Sequence, residues 1–309
     1  MAFTAKDVAN LREKTGCGMM DCKKALVATD GDMDKAVDFL REKGLAAVAK
    51  KASRIAAEGT VYCLTEGKCA VVIEVNAETD FVAKNAEFMA FVDTCAKTVI
   101  AENPADVDAL LACKAAGTDV KVEDLLRDRI QTIGENIKVR RFVRYDGVTE
   151  SYVHMGGKIG VLTKFATSDE IAAKPEFVEF AHNICMQIAA VNPLYLNEEA
   201  VPADVIEKEK AIATEQLKND PKNANKPANI IEKIVAGKIS KYFEEVCLVD
   251  QVYVKDGDMK IKQYVASTAK ALGGDIAIES FVRFEKGEGL QKREDDFMSE
   301  VAALAGGNN

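Results

Sequence analysis

Two stretches of this chain repeat each other, and that repeat limits the fold more than any other feature. Gly67-Lys68 opens a stretch that runs to Glu87-Phe88, and Gly157-Lys158 opens another that runs to Glu176-Phe177. Both continue to an Asn-Pro pair, Asn103-Pro104 and Asn192-Pro193. Each half closes on a similar strand, Phe142-Val143-Arg144-Tyr145 and Phe281-Val282-Arg283-Phe284. Within the first half, Thr60 to Leu64 and Cys69 to Asn76 read as a strand pair turning at Glu66-Gly67. Phe88, Phe91, Val92, Cys95 and Val99 then follow helical spacing, and Leu125, Leu126, Ile130 and Ile133 mark a second helix. The expected fold class is α+β: two repeated subdomains, each an antiparallel sheet with helices on one face.

The register of the repeat locates an insertion. Pro104 and Pro193 are 89 positions apart, whereas Phe142 and Phe281 are 139 apart, so the second half is longer by 50 residues. The obvious place for most of them is residues 198–243. Val205, Ile206, Ile212 and Leu217 suggest one helix and Ile230, Ile231, Ile234, Val235 and Ile239 a return helix. Asn219 to Pro227 is a tip rich in helix breakers. The expected layout is a bundle with connector at 1–54, then one core subdomain at 55–148. The second occupies 149–197 and 244–286, with the helical hairpin at 198–243 inserted in it. A C-terminal module at 287–309 carries a helix through Phe297, Val301 and Leu304.

Before the repeat, three short helices separated by glycine form a compact bundle of the ubiquitin-associated type. Thr4 with Asp7 makes a variant capping box for the first. The second holds Cys22, Ala25 and Leu26 and stops at Asp30-Gly31. The third presents Met33, Ala36, Val37 and Leu40, with Gly44 as its expected stop. Leu45 to Ala57 reads as a helical connector whose Lys50, Lys51 and Arg54 form a solvated face. Met19 and Met20 are neighbours on a helix, about 100° apart, so both cannot enter one small core.

Glu78-Thr79-Asp80-Phe81-Val82-Ala83-Lys84-Asn85 is a corner between strand and helix. Thr79 or Asp80 can cap the helix by accepting a backbone N–H. The repeat supplies a control, because Ser168, Asp169 and Glu170 stand opposite Thr79, Asp80 and Phe81. The hydroxyl and the Asp recur, as a structural cap should. The aromatic does not, so Phe81 is either a hydrophobic staple for this helix or a residue that enters a partner's pocket.

Composition narrows the function. A net charge of −9 over 309 residues argues against broad nucleic-acid binding, which needs a basic surface to displace counterions. No apolar run approaches the roughly 20 residues of a membrane span. The amino terminus shows neither a signal-peptide core nor a transit-peptide bias. Eight cysteines without a Cys-x-x-Cys spacing read as reduced cytoplasmic thiols, and two histidines, His154 and His182, leave no metal-site pattern. Neither a phosphate loop nor a dinucleotide loop is present. No catalytic residues and no cofactor are expected.

Thr79-Asp80-Phe81-Val82-Ala83-Lys84-Asn85 resembles the signature of the elongation factor Ts family, the nucleotide exchange factors of elongation factor Tu. Gly16 to Leu26 resembles the family's amino-terminal signature, and Ile133-Gly134-Glu135-Asn136, the insert and the closing strand extend the likeness over essentially the whole chain. The resemblance implies an exchange factor that binds elongation factor Tu–GDP and promotes GDP release. It implies partner contacts at Arg12, Met19, Met20, Thr79, Asp80, Phe81, Val82, Ile133, Gly134 and His154. It implies that the insert is a protruding coiled coil or a dimerisation element, a simple spur being the alternative. Two rival classes remain: a non-catalytic adaptor that binds through the bundle, and a thiol enzyme.

Overall fold

A computed structural model describes residues 3–15, 17, 19–220 and 226–291, apart from the side chains of 45–50. The expected helix through Phe297 and Leu304 and the centre of the insert tip lie outside the described residues. The chain is a mixed fold of helices and small antiparallel sheets.

Three helices come first: α1 (Ala5–Thr15), α2 (Met19–Ala28) and α3 (Met33–Lys51). Asp7 accepts the Thr4 N–H at 2.7 Å, and Thr4 Oγ1 accepts the Asp7 N–H at 3.4 Å, which closes the capping box. Val8, Leu11, Cys22, Ala25, Leu26, Ala36 and Leu40 make the small core. Gly44 does not stop the third helix, which continues to Lys51. A Cβ at Gly44 would lie 2.5 Å from Oε1 of Gln131, so the glycine permits close approach to a helix of the first half. That tertiary contact is invisible to a rule that treats glycine as punctuation.

The first half contains β1 (Glu58–Glu66), β2 (Cys69–Ala77), α4 (Asp80–Ala83), α5 (Ala86–Glu102), α6 (Val107–Ala112), α7 (Val122–Ile133) and β3 (Lys138–Asp146). The second contains β4 (Val148–His154), β5 (Ile159–Ala166), α8 (Asp169–Ala172) and α9 (Pro175–Val191). The hairpin α10 (Ala203–Asn219) and α11 (Ala228–Val246) follows, then β6 (Val252–Tyr253), β7 (Asp256–Lys260), α12 (Ile261–Leu272) and β8 (Ala277–Glu285). The main sheets run β1-β2-β3 and β4-β5-β8, antiparallel throughout. Their shared plan is exact in its punctuation. Asn103 and Asn192 both end the long helix in the left-handed region, at φ 47° and 53°. Gly134 and Gly273 both end the last helix of their half there, at φ 91° and 78°.

All of β2 is buried because both of its faces are covered. Val71, Ile73 and Val75 pack with Phe88, Phe91, Val92, Cys95 and Ile130 beneath the helices. Ala70 and Val72 face the other way, with Val61, against Leu162 and Phe284 of the second half. A Val61 N–H to Gly157 carbonyl bond of 2.8 Å joins the halves there. Glu74 is a fully buried carboxylate, which is tolerable only when paired. Arg140 Nη1 at 2.9 Å and Arg141 Nε at 2.7 Å supply the charge, and the Gly287 N–H donates at 2.8 Å. The segment after β8 is thereby pinned to the first sheet.

The hairpin closes on its own small seam of Ala213, Leu217, Val235 and Ile239. Its base is tied by Leu194 and Tyr195 N–H groups that donate to the Val246 carbonyl.

Candidate functional site

The corner between β2 and α4 is built by a glutamate distant in sequence. Oε2 of Glu135 accepts the N–H groups of Glu78 and Thr79, each at 3.0 Å, and Oε1 accepts the Thr79 hydroxyl at 2.6 Å. In return, Oε1 of Glu78 accepts the Asn136 N–H at 2.6 Å. Gly134, in the left-handed region, ends α7 so that Glu135 and Asn136 meet the corner.

This clamp corrects the expected cap. Thr79 stands at the N-cap position of α4, but its hydroxyl goes to Glu135 and makes no cap. Asp80 is the first residue of the helix, and among the described residues its one ion-pair partner is Lys84, at 4.0 Å. The long helix α5 is capped instead by Asn85, whose side chain accepts from the Glu87 and Phe88 N–H groups.

Phe81 is 81% exposed, so it staples nothing. Val82 is buried in the first-half core and anchors the corner from below. With the Val82 side chain turned into the core, the surface of the corner is that of Asp80 and Phe81. The clamp and Val82 fix the backbone on either side of an exposed aromatic and an exposed carboxylate.

The second half shows the same corner without the device. Ser168 caps α8 by accepting the Ile171 N–H at 3.3 Å. Asp169 is held by Lys68, and Glu170 occupies the place of Phe81. Gly274 stands where Glu135 does. Strand pairing sets Asn76 opposite Ala166, through Lys138 and Ala277, whereas the helix starts set Thr79 opposite Ser168. Ala77 and Glu78 thus fill a span that Thr167 fills alone. The first corner carries one extra residue, in the stretch that Glu135 holds.

The remaining expected residues fall in two places. Met19 and Met20 are both exposed, 46% and 60%, at the start of α2, and Arg12 is exposed on α1. The bundle reaches the corner through α7. Lys51 Nζ donates to the Ile130 carbonyl at 3.1 Å, Gln131 Nε2 donates to Cys17 Sγ at 3.1 Å, and α7 then ends at Ile133 and Gly134. Ile133 is half-buried against the first core. Burial holds the Lys51 ammonium pKa below its ordinary value, and neighbouring Arg54 adds to this. His154 lies on the second half, exposed at the end of β4, with Nδ1 2.8 Å from the Tyr152 hydroxyl. Among the described residues, no hydrogen bond or ion pair joins it to the corner.

Nothing here resembles a thiol centre. Burial pushes the Cys63 thiol up to about 12 and raises Cys95 and Cys185 as well. His182 Nδ1 lies 3.2 Å from Glu150 Oε1 and His154 Nδ1 2.8 Å from the Tyr152 hydroxyl, and among the described residues no hydrogen bond joins either histidine to a cysteine. Among the described residues, no group of His, Cys, Asp and Glu could hold a metal ion. None of the helices is long and apolar enough to cross a membrane.

A family model described as Elongation factor TS matches residues 78–288, from the clamped corner to the segment pinned by Glu74. A Syntrophotalea carbinolica protein named Elongation factor Ts is 50% identical over 98% of this chain and 99% of its own length. The chain belongs to the elongation factor Ts family. Relatives of the same name from Clostridium perfringens and Trichlorobacter lovleyi are 49% and 46% identical, covering 98% and 99% of this chain and 99% of their own lengths. Membership in this family makes the chain a translation elongation factor of protein biosynthesis. The relatives' coverage takes in the amino-terminal bundle, which precedes the matched residues. Within this elongation factor Ts chain, Glu135 is the corner-holding residue that sequence reasoning passed over. Its place in Ile133-Gly134-Glu135-Asn136 was visible, but its bonding partners lie 56 and 57 positions away.

Proposed function

We propose that this chain is the guanine nucleotide exchange factor of elongation factor Tu. It binds the GDP-bound form in the cytoplasm, promotes GDP release, and yields to GTP. The observation that carries this is the corner: an aromatic side chain 81% exposed beside a carboxylate held only by a long, exposed contact with Lys84, on a backbone that is clamped. Exposing a Phe forgoes burial that favours such a side chain by roughly 1.5–3 kcal/mol. A partner's pocket recovers it.

The physical requirement is a coupling free energy, since nucleotide and exchange factor must weaken each other's hold on the GTPase reciprocally. A release rate raised on the order of ten-thousandfold needs roughly 5.5 kcal/mol. Phe81 serves as a wedge that disturbs the partner's magnesium and phosphate ligands, and a buried aromatic anchor is worth about 2 kcal/mol or more. Asp80 engages partner groups beside it. Met19 and Met20, with Arg12, grip the partner's nucleotide-binding domain through adaptable thioether contacts. Ile133, Gly134 and His154 widen the interface.

The test is release of a fluorescent GDP from elongation factor Tu. Adding this protein should accelerate it by orders of magnitude, and an unchanged rate would refute the reading.

A further inference from the structure

We infer that Glu135 is the positioning residue of the exchange wedge, acting through Phe81 and making no contact of its own with the partner. The inference rests on the exchange reading above and names what sets the geometry of its central residue.

Three independent observations converge on it. The Glu135 carboxylate receives three hydrogen bonds from two consecutive corner residues, at 3.0, 3.0 and 2.6 Å, with both of its oxygens engaged. Bonds to a charged acceptor are about twice as strong as neutral ones, so this is a stiff attachment. Next, the clamp diverts Thr79 from its ordinary task. Ser168, its counterpart, caps its own helix, whereas Thr79 gives up the cap to bond Glu135. A cap is worth about 0.5–2 kcal/mol, so a chain selected for stability alone gains nothing obvious from the exchange. Finally, the half that lacks the aromatic also lacks the clamp: Glu170 replaces Phe81, and Gly274 replaces Glu135. The extra residue between strand and helix occurs only where the clamp does.

Together these make a mechanical device. An additional residue moves the start of α4 relative to β2, and unaided it would leave the corner loose. Glu135 fixes the added residue, Glu78, and its neighbour from one side. Asn136 binds the Glu78 carboxylate from the other and also ties the Arg54 carbonyl, at 2.8 Å. Phe81 begins two positions beyond the clamp. Its attitude is thus determined before the partner arrives, which removes an ordering cost from binding.

The experiment is a double-mutant cycle of Glu135→Gln and Phe81→Ala in the full chain, read as GDP release against factor concentration. Gln keeps the shape but loses the charge and one acceptor. Glu135→Gln alone should lower the maximal release rate by about tenfold, the loss of one charge-assisted bond, while the chain still melts cooperatively with its midpoint lowered by only a few degrees. In the Phe81→Ala background the same change should have no further effect, because there is no wedge left to aim. Thr79→Val, which removes the hydroxyl that donates to Glu135, should reproduce the Glu135→Gln defect. Equal defects of Glu135→Gln in both backgrounds, or wild-type exchange by Glu135→Gln alone, would overturn the inference while leaving the exchange reading intact. Full exchange by Phe81→Ala would instead sink the wedge itself, and with it the positioning role.

Discussion

Lys68 grips both carboxylate oxygens of Asp169 at 2.7 Å, whereas Asp80, the equivalent residue of the first half, has only Lys84 at 4.0 Å. One carboxylate is committed within the chain and its twin is left open. Asp80→Ala should therefore change stability by less than about 0.5 kcal/mol, as an exposed pair at that distance contributes little. Asp169→Ala should cost at most about 1 kcal/mol, because its pair is also solvent-exposed. Exchange separates them: Asp80→Ala should slow GDP release and Asp169→Ala should not. Thermal melts and release rates on both variants check this, and a reversed order would remove Asp80 from the contact surface.

Gly44 is held to be glycine by Gln131 and not by a helix end. Gly44→Val should keep the helical content, since α3 already runs through this position. The branched side chain must displace Gln131, which bonds Cys17 of the bundle. The hold of the bundle on α7 should then loosen, with the Lys51 bond to the Ile130 carbonyl still in place. The expected outcome is an unchanged far-ultraviolet circular dichroism spectrum with faster proteolysis between Lys51 and Glu58. Wild-type protease resistance would show that α3 and α7 are not held by this contact.

Thiol chemistry should be absent at neutral pH. Burial raises Cys63 to about 12 and Cys95 and Cys185 upward as well, so at pH 8 their thiolate fractions are negligible. In the native protein these three should resist a thiol-specific reagent and react only on unfolding. The sign is fixed by the direction of the shift: raising pH toward 12 releases protons that neutral pH leaves in place. Rapid native labelling of Cys63, measured by peptide mass, would contradict the burial.

Local and repeated features were legible in the sequence, and contacts between distant segments were not. The two Asn-Pro pairs marked the repeat, and both asparagines end a long helix in the left-handed conformation. The 50-residue excess pointed to an insert, and two long helices occupy it. At Gly44 the same local reasoning failed, because the reason for glycine lies on α7. At Thr79 it failed again: a hydroxyl before a helix normally caps it, and here a distant carboxylate offers a stronger bond. Val82 belongs to the recognisable motif yet points inward, since a motif records a corner's structural residues together with its exposed ones. Phe81 was set apart by its absence from the second corner, where Glu170 stands.

The wedge is tested most directly by comparing Phe81→Ala with Phe88→Ala, a fully buried aromatic seven positions away. Phe88→Ala should cost about 3–5 kcal/mol of stability, the usual loss for a core aromatic. Phe81→Ala should leave the thermal midpoint essentially where it is, because the side chain it removes is 81% exposed. Stopped-flow release of fluorescent GDP from elongation factor Tu is the deciding measurement. The account predicts that Phe81→Ala, though fully folded, loses most of the acceleration. A folded Phe81→Ala variant that releases GDP at the wild-type rate would contradict it.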